Sequence, residues 1–133
     1  MPIDYAERAR ALVGTRFRPQ GRGAEWLDCV GVVIAAFGID PASVRRDYSL
    51  RKHERREVEQ GLCESFRRVS TAAIRPGDVM LMSVDADRLH LGVRTAGGFV
   101  HAHARFRRVV ETPGMPQWPV LSAWRRRTRA RRG

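Results

Sequence analysis

Cysteine and histidine are the side chains of this sequence best suited to making and breaking bonds near neutral pH. There are two cysteines, Cys29 and Cys63, and four histidines, at 53, 90, 101 and 103. Cys29 lies in Leu27-Asp28-Cys29-Val30-Gly31, directly after a stretch that Pro19, Gly21 and Gly23 break up. A thiol in the first turn of a helix meets free N–H groups and the positive end of the helix dipole. That setting is expected to lower its pKa and, with a base nearby, to make it a nucleophile. The competing reading is a buried, inert cysteine, and position alone does not separate the two.

His90 opens the apolar run Leu91-Gly92-Val93, and His101 and His103 alternate in Phe99-Val100-His101-Ala102-His103. Alternation puts His101 and His103 on one face of a strand. A hairpin turn at Gly97-Gly98 would bring His90 and His101 to neighbouring positions, where one imidazole can orient the other and fix its tautomer. His90, His101 and His103 with Cys29 could also be read as metal ligands. No acidic or histidine groups stand ready to support such ligands, so neither a metal nor a cofactor is expected. Gly21-Arg22-Gly23 lacks the Gly-Lys-Ser/Thr ending of a phosphate loop. His53 reads as a solvated side chain and Cys63 as a core or boundary residue.

These residues need helices first and strands after. Ile3 to Val13 reads as a short helix with Asp4 as N-cap, Glu7 in capping-box position and Gly14 as stop. The apolar run from Cys29 to Phe37, between Asp28 and Gly38, reads as a fully buried helix. Leu50 to Cys63 reads as a charged surface helix. After the turn at Pro76-Gly77-Asp78 come strands at Val79–Met82, Leu89–Thr95, Phe99–Ala104 and Phe106–Glu111. Pro113, Pro116 and Pro119 then form a stiff connection to Val120–Trp124, which could close the sheet. The order predicts an α+β fold.

With 133 residues, 43% of them hydrophobic, one domain with a real core is expected, and full disorder is excluded. It is expected to span residues 1–124, with 125–133 a basic, disordered tail. No apolar run suits a membrane span, and the start lacks the order of a secretory signal. Synthesis in the cytoplasm without a signal peptide is therefore expected. Two cysteines cannot build a disulfide framework, and no CxxC suggests structural zinc. The net charge of +11 comes from 24 arginines and one lysine, six of the arginines lying between Arg125 and Arg132. A polyanion partner is one reading of that tail, but Trp124 is the single aromatic beside it, so nucleic acid is not the expected partner.

Taken together, five segments resemble the NlpC-type family of papain-like cysteine peptidases. They are Gly14-Thr15-Arg16-Phe17-Arg18, Leu27-Asp28-Cys29-Val30-Gly31, Arg75-Pro76-Gly77-Asp78-Val79, His90-Leu91-Gly92-Val93 and Gly98-Phe99-Val100-His101-Ala102. They fall in the family's order and at similar spacings. With Gln20-Gly21-Arg22 before Asp-Cys, the chain is most similar to the short version encoded by tailed phages and phage-like gene transfer agents.

The resemblance implies a papain-like fold, with a buried helix that starts at the cysteine and packs on a C-terminal antiparallel sheet. It implies Cys29 as nucleophile, His90 as base and His101 as the orienting residue, with Phe17, Asp28 and His103 on the substrate side. It also implies a substrate, the stem peptides of peptidoglycan, cut between γ-D-glutamyl and a diamino acid. The place of action would be the cell wall, as part of a virion or tail, with tail or baseplate proteins as partners. Two positions depart from the family: Val30 stands where Ser is usual, and Phe17 where many members carry Tyr. The alternative function is a catalytically silent structural part of a phage-like tail.

Overall fold

A computed structural model describes residues 3–16, 22–23, 26–44 and 50–127. Helix α1 (Tyr5–Arg10) starts where the Asp4 carboxylate accepts the Glu7 amide at 3.0 Å, as an N-cap should. It is shorter than the expected Ile3–Val13, and a looser turn carries the chain from Ala11 to Gly14. Strands β1 (Arg22–Gly23) and β2 (Trp26–Leu27) form a small antiparallel pair within the stretch read as loop. Helix α2 spans Cys29–Phe37, as the apolar run between Asp28 and Gly38 predicts. Gly38 takes φ 65°, a left-handed cap that an L side chain resists.

Helix α3 (Arg55–Cys63) begins later than expected, because Lys52–Glu54 wind as a 3₁₀ turn. Six strands follow: β3 (Phe66–Val69), β4 (Val79–Ser83), β5 (Leu89–Arg94), β6 (Gly98–His103), β7 (Arg108–Pro113) and β8 (Val120–Arg126). They form one antiparallel sheet in the order β3-β8-β4-β5-β6-β7. Strand β3 was not foreseen. Its charged Phe66-Arg67-Arg68-Val69 has little strand pattern, and it exists by pairing with β8, Phe66 opposite Arg126. The β5–β6 turn centres on Ala96-Gly97 rather than Gly97-Gly98. Gly98 already belongs to β6, and its carbonyl accepts the Thr95 amide at 2.8 Å.

The two faces of the sheet do different things. One carries Leu81, Leu91, Val93, Val100 and Ala102, which pack with Cys29, Val32, Val33 and Phe37 of α2. Burying each large side chain there contributes roughly 1.5–3 kcal/mol. Phe37 stacks on Tyr5 (4.5 Å) and meets Phe66 edge-on (4.9 Å), tying α1, α2 and β3 together. The other face carries Met80, Met82 and Phe99, covered by Ile74, Trp118 and Val120. Alternation sends His90 and His101 to this second face.

Two expectations about the surface are corrected. Arg125 and Arg126 belong to β8 rather than to a tail, and the Arg127 guanidinium donates to the Cys63 carbonyl at 3.0 Å. Pairing with β3 gives their backbone groups partners that composition does not reveal. Residues 128–133 lie outside the described residues. Cys63 is exposed, because it ends α3 on the side turned from the core. No helix among the described residues is long and apolar enough to cross a membrane.

Candidate active site

The first turn of α2 is built around a buried aspartate. Asp28 caps the helix, its Oδ1 accepting the Gly31 amide at 2.7 Å. Cys29 follows at the helix start, 6% exposed, on the face that packs against β5 and β6. Those strands pair only at Val93↔Val100 and Arg94↔Phe99. Beyond that point the backbone N–H groups of Leu91, Val30 and Cys29 itself are near enough to the sulfur to favour its charged form, and no imidazole among the described residues figures among the influences on it.

His90 and His101 do come together. His90 Nε2 lies 2.9 Å from His101 Nδ1, with the rings at 84°. The His101 Nε2 lies 2.8 Å from the Thr112 Oγ1 on β7. Phe99 stacks under His101 at 4.5 Å, and Trp118 stands edge-on to both histidines at 5.6 and 5.8 Å. Gly92 makes room for this arrangement. A Cβ there would stand 3.1 Å from the Met82 Cε and 3.2 Å from the Phe99 Cδ2. His103 lies beside His101 at 5.9 Å and stacks on Phe106, whose amide points to the His103 Nδ1 at 3.3 Å. A cleft of about 300 Å³ opens here, lined by Arg88, His90, His101, His103, Arg105 and Trp118 among others.

The electrostatics differ from the expectation for Cys29. Burial above all, and the Asp28 charge next, push the thiol up to about 12. The three backbone amides pull the other way without prevailing. The capping carboxylate offsets the positive helix end on which the sequence reading relied. Burial, with His101, His103 and Arg88 adding repulsion, drives His90 down to about 3. Burial and His103 drive His101 down to about 4. Near neutral pH the site therefore holds a thiol and two neutral imidazoles, not an ion pair.

Of the residues named from sequence, His90, His101 and His103 gather in one cleft. Cys29 is not among the residues lining that cleft: it packs with Leu91 on the α2 face of the sheet, opposite the face that carries His90 and His101, and Asp28 is the helix cap beside it. Phe17 lies outside the described residues. Thr112 and Trp118 were missed. The strand expected over Phe106–Glu111 stops one residue short of Thr112, whereas the observed one runs Arg108–Pro113, and Trp118 sits in a proline-rich connection with no periodicity to place it. Among the described residues, no three His, Cys, Asp or Glu side chains are grouped to hold a metal ion.

No family model matches the chain, and no curated protein matches its sequence. Solved structures do. NlpC1 from Trichomonas vaginalis is 17% identical and superposes with a TM-score of 0.69 over 94% of this chain and 44% of its own. NlpC2 from the same organism is 18% identical, with a TM-score of 0.68 over 94% and 46%. This chain thus spans less than half the length of either. The NlpC/p60 domain of the peptidoglycan hydrolase SagA is 14% identical, with a TM-score of 0.58 over 83% and 86%. With its α+β layout and a buried helix beginning at the cysteine, the chain has the papain-like fold of the NlpC/p60 domains.

Proposed function

We propose that this protein is a cysteine peptidase that hydrolyses amide bonds in peptidoglycan stem peptides, with Cys29 as nucleophile, His90 as base and His101 as orienting residue. The observation that carries the reading is the 2.9 Å His90–His101 hydrogen bond on the strand against whose other face the Cys29 helix start packs. As the thiol attacks the substrate carbonyl, its proton passes to His90 while the S–C bond forms and the carbonyl electrons move onto oxygen. The Cys29 amide at the helix start helps to hold that oxyanion. His90 then protonates the leaving amine as the C–N bond breaks. Water, losing a proton to His90, cleaves the thioester and restores the thiol.

The bond we assign is the one between γ-D-glutamyl and a diamino acid. The setting we assign is a phage or phage-like tail acting at the cell wall. The resemblance to the NlpC-type family supports the bond, and Gln20-Gly21-Arg22 before Asp28-Cys29 supports the setting. Phe17, Asp28 and His103 are assigned to the substrate side, where His103 lines the cleft. Purified protein incubated with wall sacculi should release peptide fragments whose masses name the bond. Cys29→Ala should lower release by at least about 10³-fold, as loss of a nucleophile does. Undiminished release would reject the assignment.

The buried sulfur and its raised pKa favour one second reading, a tail component that keeps the fold without turnover. It requires that no sacculus fragment be released at any pH at which the protein stays folded.

A further inference from the structure

Resting on that reading, we propose that Thr112 is a positioning residue: its hydroxyl accepts the His101 Nε2–H and so fixes the tautomer that leaves the His90 Nδ1 bare. The geometry is a chain of two contacts, His90 Nε2 to His101 Nδ1 at 2.9 Å and His101 Nε2 to Thr112 Oγ1 at 2.8 Å. A neutral imidazole carries one N–H, so the polarity of the two contacts is linked. If the His101 proton sits on Nε2, it goes to Thr112, and Nδ1 accepts from His90. The His90 Nδ1 is then free to take a thiol proton. If the His101 proton sits on Nδ1, it goes to His90, whose own proton must sit on the ring nitrogen that should act as base.

The Thr112 end of the chain favours the first polarity. Thr112 is half-buried, so its O–H can turn to solvent while its lone pair faces His101. Among the described residues the contact to His101 is the side-chain hydrogen bond of Thr112. Strand register delivers it: Thr112 pairs with Phe99 and His101 with Val110, which puts Thr112 diagonally beside His101 on the same face.

The test combines nitrogen-15 NMR of the histidine rings with turnover of sacculi. In the unmodified protein His101 should be protonated at Nε2 and His90 at Nε2. Protonation of His101 at Nδ1 would overturn the proposal, whatever the activity. Thr112→Val should leave His101 a mixture of tautomers and lower kcat about 10- to 10³-fold with KM little changed. That is less than the roughly 10⁴-fold lost when a triad histidine is held in the wrong tautomer. Thr112→Ser, which keeps the oxygen, should restore both readouts. A folded Thr112→Val protein that retains a pure Nε2–H tautomer refutes the proposal. So does a Thr112→Ser protein no better than Val. If no sacculus is cut by any form, the peptidase reading fails, and the ring spectra still decide the role of Thr112.

Discussion

Arg125 grips Asp78 with two prongs, its Nε and Nη2 each 2.8 Å from a carboxylate oxygen. The Arg75 amide donates to the same carboxylate at 2.8 Å. Asp78 is 1% exposed, so this is a buried charge with its partners built in. Arg125→Ala would leave that charge with one amide in a site closed to water. Removing one member of a buried pair typically costs about 3–5 kcal/mol. Urea unfolding should show a loss of this order for Arg125→Ala, and much less for Arg126→Ala. Equal, small losses would mean that the pair is not a structural clasp.

The raised thiol pKa and lowered imidazole pKa set how Cys29 should react. Alkylation needs thiolate, and a thiol at about 12 supplies very little of it near neutral pH. Iodoacetamide should therefore label the exposed Cys63 before Cys29, and Cys29 labelling should climb about tenfold per pH unit in the alkaline range. This reverses what the helix-start position alone suggests. Turnover should behave differently, because His90, at about 3, is already a free base. The rate should stay level as pH falls from about 8 to about 5. Fast Cys29 labelling at pH 7 would show instead that the two rest as an ion pair, and a rate falling through about pH 6.5 would show that His90 keeps an ordinary histidine pKa.

Much of the site was legible because its signals are local. Asp28 before an apolar run and Gly38 after it define α2, and alternation around His101 defines β6. The missing parts depend on partners distant in sequence. The β3 segment Phe66-Arg67-Arg68-Val69 becomes a strand only because β8 lies next to it. Thr112 matters only through the register of β6 with β7. The thiol pKa follows from how deeply α2 is buried, and a helix-start motif carries no information about depth. Arginines 125 and 126 look like tail because charge patterns do not reveal that Asp78 waits for Arg125 and that β3 pairs with Arg126.

The histidines also make the fold acid-sensitive. His90 and His101 are held at about 3 and about 4, below the ordinary histidine value of 6.5. In that window the unfolded chain binds protons that the folded chain refuses, so stability rises with pH. It should be level, as far as these groups are concerned, above about 6.5. It should fall by about 1.4 kcal/mol per pH unit for each group as pH drops from there toward 4. Thermal melts from pH 7.5 to pH 4.5 should show the decline, and His90→Gln should make it shallower. An unchanged slope in that variant would mean that His90 is not buried in its neutral form.

Trp118 should govern the same pKa through access of water. Its ring edge stands against both His90 and His101, and it packs with Met80, Met82 and Phe99. Burial is the main cause of the low His90 value, so removing the cover should let that value climb toward 6.5. Trp118→Ala should thus shift the acid limb of the pH–rate profile upward, with turnover lost as pH falls through the new His90 value. Trp118→Phe, which keeps an aromatic cover, should leave the limb near its original place. Because the shift concerns protonation rather than folding, the rate at pH 8 should fall much less than the rate at pH 5. If both variants lose activity equally at every pH, Trp118 contributes packing alone and does not control the proton affinity of His90.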